Sequence, residues 1–169
     1  MDYYKCGCPS SMKNFSKMVE LKFDERPDGD DVLVSIDPKN PTIMLEVFFN
    51  VLNPGDIIWL NGVVVLDYEY EPDAEDREEG REAENANVTI VIQKISYMLE
   101  NPKPIYTLEV DLMPGSDDVS IPFSHVEVET SRLEGVIFRV VVYAETESES
   151  EEDVDIEGPN TLTAIRFSK

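Results

Sequence analysis

The sequence predicts an all-β protein built as a single antiparallel β-sandwich of jelly-roll type. About nine stretches rich in β-branched and aromatic residues alternate between apolar and polar positions. Turn signatures of Pro, Gly, Asn and Asp separate these stretches at short intervals. No stretch shows the apolar spacing of a long helix. Many short strands joined by tight turns are typical of a sandwich or a jelly roll.

Each strand is predicted from its own alternation and its flanking turns. The expected strands cover residues 18–23, 32–36, 42–51, 57–70, 88–97, 105–112, 119–123 with 126–129, 136–143 and 161–167. The pair 119–123 and 126–129 is expected to form one strand broken around Pro122. Within 57–70, Asn61-Gly62 indicates either a tight hairpin or a bulge.

The chain of 169 residues has a normal length for one domain. Residues 1–16 show neither period and contain Gly7 and Pro9, so they are expected to form a flexible N-terminal arm. Residues 17–169 are expected to form the sandwich domain. Two segments, 69–84 and 145–157, carry nine and eight acidic residues and are expected to be exposed, mobile loops.

The formal net charge of −22 limits the partners of the chain. Phosphates repel such a chain, so neither nucleic acid nor an anionic membrane is an expected partner. Residues 1–17 lack the apolar region of a secretory signal. The chain is therefore expected either to stay in the cytoplasm of the cell that makes it or to be released when that cell lyses.

The two cysteines, Cys6 and Cys8, both lie in the expected arm. Their i, i+2 spacing does not favour a bridge between them, and a structural zinc site needs four ligands. Two interpretations stay open: free cytosolic thiols, or disulfides between subunits in an oxidising setting. The second gives the arm a role in joining copies of the chain.

Calcium is the one cofactor that the acidic composition favours, because it prefers six to eight hard oxygen ligands. The candidate ligands lie at two predicted turns and are Asp28, Asp30, Asp31, Asp117 and Asp118. No EF-hand pattern accompanies them, and ordinary acidic turns are the alternative interpretation.

The sequence predicts no enzyme. His125 is the only histidine, and no Gly-X-Ser-X-Gly elbow or phosphate-binding glycine motif is present. We expect His125 to be a surface or edge residue. A hydrolase using two of the many carboxylates is a weaker alternative, because carboxylate pairs arise easily among 36 acidic residues. Trp59, with Ile57 and Leu60, is expected in the core.

Three segments of the C-terminal half carry a resemblance to a known group of proteins. They are residues 88–93 (VTIVIQ), 129–138 (ETSRLEGVIF) and 158–165 (GPNTLTAI). With these segments the chain resembles, loosely over residues 42–168, the spore-surface and exosporium-type β-sandwich proteins of Firmicutes, which are related to the tumour-necrosis-factor jelly roll. Glu129 stands where that group has Asp. The resemblance implies a structural role at a cell or spore surface and subunits that oligomerise.

Together these observations predict a self-assembling structural subunit of a surface layer or filament, joined to copies of itself through its N-terminal arm. The alternative is a carbohydrate- or calcium-dependent binding module. A row of aromatic side chains on one exposed face would favour the binding module. An arm docked into a neighbouring copy would favour the structural subunit.

Overall fold

The computed structural model describes residues 17–26, 32–70, 85–145 and 152–168. Every regular element within these ranges is a β-strand, which confirms the predicted all-β fold class. The strands are β1 Lys17–Arg26, β2 Val32–Leu33, β3 Thr42–Leu52, β4 Ile57–Tyr70, β5 Ala86–Ile95, β6 Lys103–Leu112, β7 Ser116–Val128, β8 Leu133–Glu145, β9 Glu152–Ile156 and β10 Asn160–Ser168. None of the described residues forms a helix that could cross a membrane.

The strands form two sheets whose neighbours all run antiparallel. In the six-stranded sheet, β4 is the central strand: β7 pairs along one edge, while β10 and then β9 pair along the other. Strand β1 pairs with β10, and β2 pairs with β9. The four-stranded sheet has the order β3-β8-β5-β6. The two sheets make a sandwich, as the sequence predicts.

One continuous apolar core lies between the sheets. Phe49 on β3 and Phe138 on β8 meet edge to face with ring centroids 6.0 Å apart, and both are fully buried. From the other sheet, Leu66 and Tyr68 on β4 are fully buried as well. Each such side chain stabilises the fold by roughly 1.5–3 kcal/mol relative to an exposed one. The core therefore holds the two sheets together.

Strand β4 runs without a break or a register shift through Asn61-Gly62, so both the predicted hairpin and the alternative bulge are wrong. Gly62 is required by close approach: a Cβ there would lie 2.0 Å from the carbonyl oxygen of Thr161 on β10. It would also lie 2.7 Å from the ring of Phe123 on β7. The glycine thus lets the central strand sit between both of its neighbours.

The strand containing Pro122 is likewise unbroken, in contrast to the prediction. Pro122 lies opposite Val63, on a strand that pairs only with β4 among the described residues. An edge strand tolerates proline because one side of it needs no ladder hydrogen bonds. The position of β7 at the edge explains why the strand continues.

The second acidic segment contains a strand, which corrects part of its prediction as a solvated loop. Strand β9 covers Glu152–Ile156 and pairs with both β4 and β2. Val154 and Ile156 are buried in the core, while Asp155 between them points away from it. The alternation of valine, isoleucine and aspartate is a strand signal that the high charge of the segment concealed.

Candidate interaction surface

The outer surface of the six-stranded sheet carries three rows of side chains that the strand register brings side by side. Each row takes one residue from β1, β10, β4 and β7 in that order. The rows are Met18, Phe167, Ile57 and Val128; Leu21, Ile165, Trp59 and Val126; and Phe23, Thr163, Asn61 and Ser124. We name these twelve residues the apolar face.

The burial pattern shows that these residues point away from the core. On β4, Ile58 and Leu60 are fully buried, so the intervening Trp59 faces outward. Trp59 is 40% exposed, and Leu21 and Val126 are 56% and 54% exposed. The expectation that Trp59 lies in the core is therefore wrong.

The indole of Trp59 is held in place on the apolar face. Its Nε1 donates a hydrogen bond to Ser124 Oγ on β7, at 3.0 Å. This bond satisfies the polar atom of the ring and fixes the indole beside β7. Trp59 therefore presents a pre-ordered apolar surface near the middle of the three rows.

The apolar face contains no charged residue, although 30% of the chain is charged. Soluble surfaces are roughly 25–35% charged, so about three to four of twelve positions would ordinarily carry a charge. The first charge met along β1 is Glu25, one row beyond Phe23. With strands about 4.8 Å apart and same-face residues about 6.8 Å apart, the face measures roughly 19 Å by 20 Å.

Strand β1 shows an inverted polarity. Leu21 and Phe23 point outward and are more than half exposed, whereas Glu20 and Lys22 lie half-buried on the inner side. Lys22 Nζ and Glu20 Oε1 form an ion pair at 3.0 Å. A sandwich strand ordinarily turns its apolar residues inward. The exposed apolar side chains of β1 therefore do not serve the core of this domain.

Strand β10 repeats this inversion beneath the apolar face. Ile165 and Phe167 point outward, while Arg166 between them points inward. Arg166 Nη2 lies 2.7 Å from Oδ2 of Asp56, which is only 2% exposed. The inner side at this end of the sheet is thus occupied by paired charges.

Strand β7 does the same around Val126 and Val128, whose neighbours His125 and Glu127 point inward. Glu127 accepts a hydrogen bond from the buried Lys94 of β5, in the other sheet. Lys94 also donates to Glu129 Oε1 at 3.1 Å. At this end of the sandwich β7 is therefore ionisable on its inner side and apolar on its outer side, while Ile58 and Leu60 of β4 stay apolar inside.

The environment of Lys94 changes its pKa in two opposing directions. Burial of the ammonium group lowers the pKa, but hydrogen bonds and charges from Glu127 and Glu129 outweigh burial and raise it overall. His125 Nε2 lies 3.7 Å from Glu127 Oε2 and has no hydrogen-bond partner among the described residues. His125 therefore belongs to the inner side of an edge strand, where it contacts the ring of Tyr106.

Of the predicted calcium ligands, the structure describes Asp117 and Asp118. Both are exposed at the start of β7, where Asp118 adopts a φ of 51°. The pKa of nearby Asp67 is raised, and burial is the largest cause. The charges of Asp117 and Asp118 also raise this pKa, whereas a hydrogen bond with the Tyr68 backbone lowers it. Among the described residues, no group of three or more His, Cys, Asp or Glu has a metal-binding arrangement.

The remaining predicted site residues lie outside the described ranges. They are Asp28, Asp30 and Asp31 of the other calcium candidate, and Cys6 and Cys8 of the expected arm. The roles assigned to these five residues stay predictions, as does the division into an arm over residues 1–16 and a domain over 17–169.

A shallow depression of about 340 Å³ opens on the four-stranded sheet. Its polar lining includes Lys39, Gln93 and Arg139, and no aromatic side chain takes part. Arg139 is paired with Glu46 across the sheet. A carbohydrate site would offer an aromatic platform, so this depression is a weak candidate for one.

Sequence reasoning did not find the apolar face. The alternation on β1 and β7 indicates two unlike sides, but not which side meets the core. The signal present in the sequence was short: two apolar residues separated by one charged residue, as in Leu21 and Phe23 or in Val126 and Val128. Both pairs lie on edge strands of the six-stranded sheet. Register across four strands is needed to turn these short patterns into one surface.

Comparison with known proteins shows the fold. No protein-family model matches the sequence, and no curated protein is significantly similar to it. Among solved structures, the chain is similar to the infectious bursal disease virus VP2 subviral particle, with 10% identity and a TM-score of 0.53. The match covers 94% of this chain and 35% of the viral chain. The chain thus spans about a third of that protein and shares its fold.

A second similar structure is Eiger TNF from S. frugiperda, with 8% identity and a TM-score of 0.40. That match covers 88% of this chain and 94% of the other. The predicted jelly-roll type is confirmed by the viral structure. The Firmicutes spore-surface origin stays a prediction.

Proposed function

We propose that this chain is a structural subunit that associates with copies of itself, and that the assembly is a surface layer or filament joined through residues 1–16. The observation that carries the proposal is the apolar face, an uncharged surface formed where β1, β7 and β10 turn ionisable side chains inward. Monomeric proteins rarely expose contiguous apolar patches larger than a few hundred Å² unless these bind something. The apolar face reaches this size.

The energetics favour burial of this surface. Removing apolar area from water stabilises a complex by roughly 25 cal/mol per Å² before the costs of association. The inward-facing charged side chains, such as Arg166 with Asp56, have ion-pair partners within the domain. The outward-facing apolar side chains of the face have no counterpart within the described part of the chain, so association improves their environment without disturbing the fold.

The shared fold supports an architectural role. The similar viral protein is, by its description, the VP2 protein of a subviral particle. A protein that contains this fold can therefore form part of a particle. This likeness concerns the fold, and the apolar face supplies the reason for applying the role to this chain.

Residues 1–16 are well placed in sequence to join neighbouring copies. They end at Ser16, two residues before Met18 in the first row of the apolar face. They contain two lysines and one aspartate, in contrast to the strongly acidic remainder. A segment of this length can span at most roughly 53 Å when extended. Cys6 and Cys8 can then reach a neighbouring subunit, and oxidation would lock the contact.

Sedimentation velocity and electron microscopy of the purified full chain test the proposal. We expect particles larger than a monomer whose proportion rises with protein concentration. It should also rise with salt, because the Debye length shortens to about 8 Å at 0.15 M and screens the net charge of −22. A monomer at every concentration and salt would contradict a structural, self-associating role.

The contribution of residues 1–16 is tested by two variants. The double variant Cys6→Ser, Cys8→Ser should still assemble, but its assemblies should dissociate in milder denaturant. A chain beginning at Phe15 should fail to form the extended assemblies. If that shortened chain assembles like the full chain, residues 1–16 are not the connector, although self-association stands.

The second candidate is the carbohydrate-dependent binding module, and one observation favours it. Three aromatic side chains, Phe23, Trp59 and Phe167, share the apolar face. Sugar hydroxyls also need polar partners, and the face offers Thr163, Asn61 and Ser124 in one row, with Ser124 Oγ already accepting the Trp59 hydrogen bond. Glycan-array binding with quenching of Trp59 fluorescence by the bound sugar would establish this candidate instead.

A further inference from the structure

We infer that the apolar face packs against the apolar face of a second copy of this chain, giving a two-fold symmetric dimer. This inference rests on the proposed self-association and adds the surface and the partner. Like surfaces in contact make an isologous interface, which closes as a dimer and leaves other surfaces for larger assemblies. The dimer is then the building unit.

The area of the apolar face suits a dimer contact. Its projected area is roughly 400 Å² per copy from strand and residue spacing. Accessible surface exceeds projected area where side chains protrude, as Leu21, Val126 and Trp59 do. Two such faces with their rims approach the roughly 1,200 Å² at which specific interfaces begin. A smaller partner, such as a short peptide, would leave part of the face in water.

Electrostatic repulsion also favours the apolar face as the contact between two copies. Two copies with a net charge of −22 each repel one another over most of their surfaces. The outer side of the four-stranded sheet carries Glu46, Glu109 and Asp111, which would face like charges in a second copy. The apolar face carries no charge, so two copies that meet there bring the fewest like charges together.

The residues of the apolar face are arranged as in known protein–protein interfaces, with an aromatic residue near the centre and polar residues at one rim. Trp59 lies in the middle row on the central strand, and the outer row of Phe23, Thr163, Asn61 and Ser124 is largely polar. Interfaces place tryptophan near the centre and polar groups at the rim. Two sheets can pack with their surfaces about 10 Å apart and their strands about 30° apart.

The interior beneath the face prevents the apolar side chains from turning inward instead. Turning β1 or β10 over would expose Leu21 and Ile165 to the sandwich and remove Arg166 from Asp56. Asp56 is 2% exposed, and its carboxylate also accepts the Asn53 backbone N–H at 2.8 Å. Breaking this arrangement leaves a buried charge unpaired. Because no described part of the chain covers the face, we take a second copy as its cover.

The test uses the full chain with its single tryptophan as the probe. We compare the wild type with Val126→Glu, on the apolar face, and with Phe48→Glu, a control on the outer surface of the other sheet. Val126 and Phe48 are 54% and 43% exposed, so both variants add one charge at an accessible apolar position. Circular dichroism and thermal melting establish that each variant is folded.

Sedimentation and acrylamide quenching of Trp59 are measured over the same concentration range. The inference predicts a wild-type dimer in which Trp59 becomes shielded as mass increases. Val126→Glu should weaken the dimer roughly tenfold or more, because symmetry places two new charges in the interface. Phe48→Glu should match the wild type. Leu21→Glu, on the opposite edge of the face, should repeat the effect of Val126→Glu.

The remaining outcomes separate this inference from the proposed function. If the wild type assembles while Trp59 stays accessible, or if Val126→Glu assembles normally, the face is not the contact and self-association proceeds elsewhere. If Trp59 is shielded in a monomer and becomes accessible in the chain beginning at Phe15, residues 1–14 cover the face and the dimer is overturned. If the wild type stays monomeric with Trp59 accessible, both proposals fail.

Discussion

Lys94 Nζ lies 3.1 Å from Glu129 Oε1, and this ion pair joins the four-stranded sheet to the residue that follows β7 in the six-stranded sheet. The two side chains are 7% and 2% exposed. Two backbone hydrogen bonds also hold Glu129 in place. The Glu129 N–H donates to the Asp56 carbonyl, and the Gly55 N–H donates to the Glu129 carbonyl. The pair therefore clamps the two sheets at the end that carries the apolar face.

Replacing Lys94 by methionine should destabilise the domain by about 3–5 kcal/mol, because it leaves the buried carboxylate of Glu129 unpaired. Urea unfolding measures the loss. The double variant Lys94→Met, Glu129→Gln should recover part of it, since the unpaired charge is removed. Lys39→Met, at an exposed lysine, is the control and should change stability little.

The same pair has a pH dependence. The pKa of Lys94 is raised in the folded chain, so its contribution to stability is fully present below the ordinary value of 10.5. The contribution is lost as the pH rises through the folded-state pKa. Wild-type stability should therefore fall above pH 10.5 more steeply than that of the double variant.

Gly62→Ala should destabilise the domain by about 1–3 kcal/mol or prevent folding, because the added methyl group meets the Thr161 carbonyl oxygen. Shortening Phe123 to leucine should not restore stability, since the nearer obstacle is backbone. Thermal unfolding of both variants measures the effect. A melting temperature of Gly62→Ala equal to that of the wild type would show that β4 and β10 are farther apart.

Strand β9 can be tested with one substitution at two positions. Val154→Ala should cost about 2 kcal/mol, because Val154 is 4% exposed between the sheets. Val128→Ala, at a valine that is 54% exposed, should cost little in the monomer. Amide exchange should be slow at Val154 and Ile156. Fast exchange there, with equal stability of both variants, would restore the interpretation of a solvated loop.

Asp67→Asn should stabilise the domain at neutral pH by less than about 1 kcal/mol, because the charge is partly solvated. The folded-state pKa of Asp67 is raised above 3.8, so the ionised carboxylate is disfavoured by folding. This cost is relieved as the pH falls through the folded-state pKa, and the variants should converge below 3.8. Glu109→Gln controls for the change in net charge, and equal gains from both would contradict a local cause.

Calcium binding through Asp117 and Asp118, or through Asp28, Asp30 and Asp31, is expected to be weak. At a calcium concentration ten times the Kd, stability would rise by about 1.4 kcal/mol. Melting curves with millimolar calcium measure this gain. The double variant Asp117→Asn, Asp118→Asn removes only the group at the start of β7. A calcium-dependent gain that persists in this variant would belong to Asp28, Asp30 and Asp31. An unchanged wild-type melting curve excludes both groups.

The fold class was accessible from sequence because turn residues and alternation are local signals. The path of β4 through Asn61-Gly62 was not, since the reason for Gly62 is a carbonyl oxygen about a hundred residues away, at Thr161. Strand β9 was concealed because its acidic content outweighed the alternation of Val154 and Ile156. In each case a contact distant in sequence decided the local structure.

The candidate surface depended even more on long-range register. Trp59 resembles a core residue when only its neighbours Ile57 and Leu60 are considered. Its exposure follows from the opposite orientation of Ile58 and Leu60, which fill the core. Nothing local indicates that Leu21, Ile165 and Val126 share its row, because these residues come from three other strands.

The inverted polarity of β1 places two practical goals in conflict. Charging exposed apolar residues is the usual route to a better-behaved monomer in expression and crystallisation. At Leu21 and Phe23 the same edit would remove the surface that gives the chain its proposed partner. Under the inferred dimer, a variant charged at these positions would fold but would not form the contact through the apolar face, so its monomeric behaviour in solution would report the loss of that contact.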